Sequence, residues 1–145
     1  MTIPATNDSR RAHANAILDR AMELLIAHDM TGFANLWAPD GTMEFPFAAP
    51  GQVERLDGRT AVADYLAGYT DAVDIRRIAS QTRHDTLDPD TVIVEFEVDG
   101  VAVQTRRPYR MRYVAVVTVH ADGIASYRDY WSPLAVSEAL GATTW

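Results

Sequence analysis

From Thr91 to Trp131 apolar and polar residues alternate almost without a break, in the runs Thr91 to Val98, Tyr109 to His120 and Ile124 to Trp131. A period of two is the mark of strands with one buried face and one wet face. Ala121-Asp122-Gly123 separates the last two runs with glycine in final place, the pattern of a hairpin built on a type I turn with a glycine bulge. The runs therefore predict an antiparallel meander. Its apolar face must be covered by helices from elsewhere in the chain.

The turn sets a register. It pairs His120 with Ile124, and so Val117 with Tyr127, Ala115 with Asp129 and Tyr113 with Trp131. In the other hairpin, pairing Glu95 with Arg112 also pairs Glu97 with Arg110, which puts two opposite-charge pairs on one face. That register sets Val94 against Tyr113 and Phe96 against Met111 on the other face. Tyr113 lies on the apolar face in both hairpins. The inner face then collects Val92, Val94, Phe96, Met111, Tyr113, Ala115, Val117, Tyr127 and Trp131, together with one acid, Asp129. A carboxyl group on an apolar face needs a reason, and a ligand pocket with an acid/base group at its floor supplies one. The competing reading is a strand slipped by one residue, which would expose Asp129 and pair it with an arginine.

The N-terminal half reads as helices. Asn7, Asp8 and Ser9 are candidate N-caps, followed by Ala14, Ile17, Leu18, Ala21, Leu24 and Leu25 at helical spacing. A short second helix after Thr31-Gly32 should bury Phe33, Leu36 and Trp37, and Pro39-Asp40-Gly41 should end it as a turn. Thr42 to Phe47 reads as a strand with Met43, Phe45 and Phe47 on one face. Ala48 to Gly58 reads as a loop. Thr60 to Tyr69 reads as a third helix carrying Val62, Tyr65 and Leu66, and Asp74 to His84 as a further strand. Asp88-Pro89-Asp90 is a turn. Ser132-Pro133 gives an N-cap and first-turn proline to a C-terminal helix closed by Gly141. Helices first and strands last make the expected class α+β.

The 145 residues are expected to form one domain across 1–145, long enough to bury a core. A net charge of −7 argues against a nucleic-acid partner. The absence of cysteine rules out a disulfide framework and thiolate chemistry, and fits a cytoplasmic location. The polar stretch Met1 to Arg11 lacks the apolar segment of a signal peptide, and no run approaches a membrane span. His13, His28, His84 and His120 show no metal-ligand spacing, so neither metal nor cofactor is expected. His84 is a candidate to reach the pocket from the neighbouring strand. Arg106 and Arg107, in the long Asp99–Pro108 hairpin loop, could attract a carboxylated substrate or simply be solvated. Glu44 should face outward, and Asp40 is explained as turn chemistry. The outer sheet face mixes Glu95, Glu97, Arg110 and Arg112 with Ile93, Val114, Val116 and Tyr130, which predicts a homodimer through that face.

Leu36-Trp37-Ala38-Pro39-Asp40-Gly41-Thr42-Met43-Glu44-Phe45-Pro46, then Leu56-Asp57-Gly58-Arg59, and finally Tyr127-Arg128-Asp129-Tyr130-Trp131-Ser132-Pro133-Leu134 with Ala139-Leu140-Gly141, resemble the NTF2-like superfamily in its SnoaL-like or ketosteroid-isomerase-like branch. The resemblance covers nearly the whole chain. It implies a curved antiparallel or mixed sheet and three helices in the N-terminal half, forming a cone-shaped barrel with an internal pocket. The three places of the ketosteroid isomerase site, an aspartate base and an oxyanion hole of tyrosine and protonated aspartate, hold Phe45, Ala21 and Ala115, so steroid isomerisation is not implied. The C-terminal third is most similar to phenazine-biosynthesis A/B proteins, whose acid in this run acts as general acid/base and matches Asp129.

The residues expected to do chemistry are Asp129, moving a proton, and Tyr113, polarising a carbonyl. Trp37, Phe45, Tyr65, Val94, Phe96, Ala115, Tyr127 and Trp131 are expected to bind the substrate, although core packing explains the aromatics equally well. The expected substrate is a small cyclic or polyketide-like metabolite, and the expected reaction cyclisation, isomerisation or dehydration. The alternatives are a non-catalytic module binding a small ligand or a protein, and an epoxide-type hydrolase in which Asp129 activates water.

Overall fold

A computed structural model describes residues 6–141. Helix α1 (Asn7–Ile26) begins one residue earlier than the candidate caps imply, because the Thr6 hydroxyl accepts a hydrogen bond from the Ser9 N–H at 3.0 Å. Ala14, Leu18, Ala21, Leu24 and Leu25 are buried along one stripe and Met22 joins them, while Ile17 stays at the margin. Each fully buried leucine there contributes roughly 1.5–3 kcal/mol, so Leu18→Asp would undock the helix. Helix α2 (Met30–Ala34) is capped by Asp29, which accepts from the Gly32 N–H at 2.8 Å. It stops before Trp37, which is fully buried on a strand instead.

That strand, β1 (Trp37–Glu44), absorbs Pro39-Asp40-Gly41. The expected turn is an outward excursion within the strand, since the register with its neighbour shifts between Trp37 and Thr42. The Trp37 indole N–H donates to the Thr42 carbonyl at 3.0 Å and bridges the excursion. Gly41 has no room for a side chain, because a Cβ there would lie 2.3 Å from the Ile124 carbonyl oxygen. The strand ends at Glu44. Met43 and Phe45 are buried as expected, but Phe47 turns outward and is 60% exposed. The expected loop contains a short strand, β2 (Arg55–Asp57), paired antiparallel with β1. The third helix divides at Gly68 into α3 (Arg59–Leu66) and α4 (Tyr69–Ala72).

Strands β3 (Val73–Asp85), β4 (Thr91–Ala102), β5 (Pro108–His120) and β6 (Gly123–Tyr130) complete one six-stranded sheet in the order β2-β1-β6-β5-β4-β3. β1 and β6 run parallel and the other neighbours antiparallel, so the sheet is mixed. It has two edges, β2 and β3, and does not close into a barrel. Helix α5 (Pro133–Leu140) follows with Ser132 as its cap and Gly141 in the left-handed conformation at its end.

Both hairpins differ from expectation in detail. Across β4 and β5, Glu97 pairs with Arg112 and Asp99 with Arg110, so Phe96 faces Tyr113 and Val94 faces Ala115. The shift is two residues, which leaves every side chain on its expected face, and the connection shrinks to 103–107. Across β5 and β6 the turn is tighter: His120 pairs with Gly123 and Val119 with Ile124. A bulge then intervenes, because Thr118 pairs with Ser126 and leaves Ala125 as the extra residue. Beyond it Val117 faces Tyr127 and Ala115 faces Asp129, the expected register reached by another route. Gly123, at φ +129°, makes the tight turn possible.

Candidate functional site

The alternation of β4 to β6 and the helices over them leave a cavity of about 50 Å³ between sheet and helices. That is room for a few waters or one small ring, since a single water needs about 10–15 Å³ on this measure. Its walls come from Leu25 on α1, Met30 and Phe33 on α2, Met43 and Phe45 at β1, Tyr65 and Leu66 on α3, Tyr69 on α4, Phe96 on β4, Tyr113 on β5, and Tyr127 and Asp129 on β6. No lysine, arginine or histidine lines it.

Among the described residues Asp129 is the sole charged-type residue in this wall. Counted as a whole residue it is half-buried, because it borders the cavity. Its Oδ1, however, is sealed from solvent and accepts no hydrogen bond from the described residues. The oxygen is the group that titrates, so its burial decides the chemistry. Burial pushes the carboxyl group up from the ordinary carboxylate range to about 8, and no neighbouring cation offsets this. Ala115 directly across the ladder is fully buried and adds only a methyl group beside the acid.

Three phenols gather on the same side. The Tyr113 hydroxyl lies 3.1 Å from that of Tyr69 and 2.6 Å from that of Tyr109, all buried. Each phenol's pKa is raised, first by burial; Asp129 adds to the rise in all three, while the hydrogen bond to Tyr113 opposes it at Tyr69 and Tyr109. They are neutral donors at any ordinary pH. Tyr113 is linked to both neighbours, and Tyr69 and Tyr109 interact with each other as well. Tyr127 is raised as well, by burial first and then by Asp129.

Of the residues the sequence nominates, Phe45, Tyr65, Phe96, Tyr113, Tyr127 and Asp129 border the cavity. Trp37, Val94, Ala115 and Trp131 are buried in the core around it rather than in its wall. Trp37 packs at 5.6 Å from Phe33 and 5.3 Å from Tyr127, and Trp131 sits edge-on to Phe45 at 4.9 Å. They hold the lining aromatics in place. Sequence reasoning missed Tyr69 and Tyr109. Tyr109 shares the parity of Met111 and Tyr113 on β5, so the alternation could have found it. Tyr69 depends on the break at Gly68, which periodicity does not announce.

His84 does not reach the cavity; it is exposed and pairs with Glu95 at 2.6 Å. The Arg107 side chain donates to the Glu138 carbonyl at 2.7 Å, which ties the hairpin to α5 instead of presenting a cation to the pocket. Among the described residues no group of three or more His, Cys, Asp or Glu gathers as a metal site, and no helix is long and apolar enough to cross a membrane.

A six-stranded mixed sheet with helices over one face and an acid among aromatics defines the NTF2-like class of small α+β domains. Within it the chain belongs to the SnoaL-like domain family, whose pattern it matches over residues 18–132. It is 35% identical over 129 residues to a PhzA/B-like protein of Pseudomonas aeruginosa whose activity is uncharacterised, covering 89% of this chain and 91% of that one. A solved candidate isomerase from Bacillus subtilis superposes with a TM-score of 0.87 at 32% identity, over 96% of this chain and 98% of the other. A candidate polyketide cyclase from Xanthomonas campestris pv. campestris superposes at 0.74 with 19% identity, over 94% and 100%, and shares the fold.

Proposed function

We propose that the chain is an enzyme that moves a proton on a small, mostly apolar cyclic metabolite, in an isomerisation, cyclisation or dehydration. Asp129 takes or gives the proton. Tyr113, braced by Tyr69 and Tyr109, donates a hydrogen bond to the carbonyl whose oxygen gains charge as the proton leaves. The observation that carries this is the unpartnered carboxyl oxygen at the edge of an apolar cavity, in a group pushed to about 8. A base poised near the working pH is what proton abstraction from carbon requires. The pocket size favours substrates of one ring. Larger polyketide-like compounds would require Met30 and Met43 to swing aside, as unbranched thioethers readily do. Epoxide hydrolysis fits less well, because the lining supplies no basic partner to Asp129.

Solvent-deuterium exchange at the carbon next to the carbonyl, followed by NMR over a panel of small cyclic ketones and diketones, tests the reading without a known pathway. At least one compound should exchange faster with the protein, and Asp129→Asn should remove that acceleration while the far-UV spectrum is kept. Acceleration unchanged in the variant would end the proposal in favour of a binding module.

The outer sheet face is proposed as the contact between two copies. Val114 is 37% exposed there, and the Phe47 ring stands edge-on to Tyr130 at 5.1 Å while most of its surface meets solvent. Sedimentation at micromolar concentration should give a dimer; a monomer would contradict it.

A further inference from the structure

The composition of the cavity wall discriminates sharply by ligand charge. Among the described residues twelve line the cavity, and seven of these are aromatic: Phe33, Phe45, Tyr65, Tyr69, Phe96, Tyr113 and Tyr127. One more is Asp129, whose Oδ1 is buried without a partner. The remaining four are leucine and methionine, and no cationic side chain is present. An anion entering this space would meet aromatic faces, which carry negative potential, and a carboxyl group. A neutral ligand would leave the carboxylate state of Asp129 unpaired. A small organic cation satisfies both elements: it is attracted by the ring faces, and it is the one partner that pairs with a buried carboxylate.

We infer that the cavity binds a small ammonium ion, tertiary or quaternary, with Asp129 as its counter-ion and the aromatic rings as its cage. The space of about 50 Å³ matches a compact head group and not a long chain. The phenols do not compete for the role of counter-ion. Tyr69, Tyr109 and Tyr113 are bound to one another, and with Tyr127 they remain neutral because burial raises all four. The net charge of −7 concentrates cations at the surface and discourages anions. This binding activity does not depend on the catalytic reading, since a cation can occupy the cavity of a protein that transfers no proton.

Proton linkage gives the test its sign. Asp129 is the group facing the ligand whose state changes near neutrality, while the surrounding phenols titrate far above it. A cation needs the carboxylate, so each binding event below about pH 8 releases a proton, and affinity climbs up to tenfold per pH unit before levelling above pH 8. A neutral ligand held by the protonated acid has the opposite slope.

Titration calorimetry of the full chain with tetramethylammonium chloride, and with tert-butanol as a neutral compound of similar size, should be run at pH 6, 7, 8 and 9. The expected result is tetramethylammonium binding at least tenfold tighter than tert-butanol at pH 8, with affinity rising from pH 6 to 8 and proton release that varies with the buffer's ionisation enthalpy. Asp129→Asn should lower that affinity at least tenfold while leaving any tert-butanol binding intact. Equal affinities, a flat or falling pH profile, or no tetramethylammonium binding at tens of millimolar would overturn the inference. The wild-type pH profile needs no variant, so the test survives a poorly folding substitution. It also reads binding alone, so a failed exchange assay and a failed titration are separate results.

Discussion

The two faces of the β4–β5–β6 sheet are made by the same strands and handle acids in opposite ways. On the outer face every acid of β4 has a basic neighbour: Glu95 has His84 at 2.6 Å, Glu97 has Arg112 at 3.9 Å, and Asp99 has Arg77 at 2.8 Å and Arg110 at 3.7 Å. The basic partners are largely exposed although Glu97 and Asp99 are 27% and 20% exposed, and surface pairs of that kind contribute little each. Among the described residues Asp129 has no ionic neighbour on the inner face, and its Oδ1 is sealed from solvent. Acids that serve only the fold are neutralised where solvation is cheap. The acid left unpaired in the dry layer costs stability, and that cost is the signature of a group kept for chemistry.

The largest test of this contrast is to swap the faces. Exchanging the two neighbours, Arg128→Asp together with Asp129→Arg, drives a guanidinium inward opposite Ala115 and sets the acid outward. We expect a loss of more than about 5 kcal/mol, enough to unfold the chain, read by chemical denaturation. An exchanged variant of native stability would show that the inner face tolerates an unpaired charge as readily as the outer one.

The second test removes the inner acid alone. Asp129→Asn should slow any accelerated proton exchange by roughly 10²- to 10⁴-fold. Wild-type exchange, if Asp129 acts as base, should rise with pH and level off above about 8.

Third comes stability against pH. The folded carboxyl titrates near 8 and the unfolded one near the ordinary value of roughly 4, so the folded state holds a proton that the unfolded state has lost across that window. Stability attributable to Asp129 is therefore full below the lower value, declines as pH rises, and is flat again above the upper one. The slope is at most about 1.4 kcal/mol per pH unit, less where the cavity admits water. Urea melts of wild type and Asp129→Asn should diverge in this window, with the variant the flatter; parallel curves would mean the acid is solvated.

A smaller effect is expected from Ala115→Leu, which overpacks the space beside Asp129. We expect a loss of about 1–3 kcal/mol together with weakened ligand binding. The smallest belongs to the outer face, where Arg112→Ala should change stability by less than about 1 kcal/mol, since its side chain is 89% exposed.

What was legible in the sequence follows the same division. Alternation is strict on β5, where every second residue from Tyr109 to Val119 is buried, so the faces could be assigned without coordinates. The Ser132-Pro133 start and Gly141 stop of α5 are local chemistry and were equally plain. The β4–β5 register was not. A shift of two residues preserves both faces and both charge ladders, so charge matching could not distinguish Glu95–Arg112 from Glu97–Arg112. β2 was hidden because three residues carry no period. In the site, Asp129 and Tyr113 stand out by their place on a strand, whereas Leu25, Met30 and Tyr69 reach the cavity through helix packing that one-dimensional spacing does not encode.

Ala125 carries no reactive group, yet it sets the parity of everything downstream of it. The tight turn at Gly123 alone would count the strand out of phase, and one unpaired alanine restores the count before Tyr127. Anyone transplanting the Gly123–Trp131 segment into a designed scaffold would have to keep the bulge intact or remove its surplus residue with it. A graft that kept Ala125 but paired it in the ladder would retain every side chain and present the wrong half of them to the hollow.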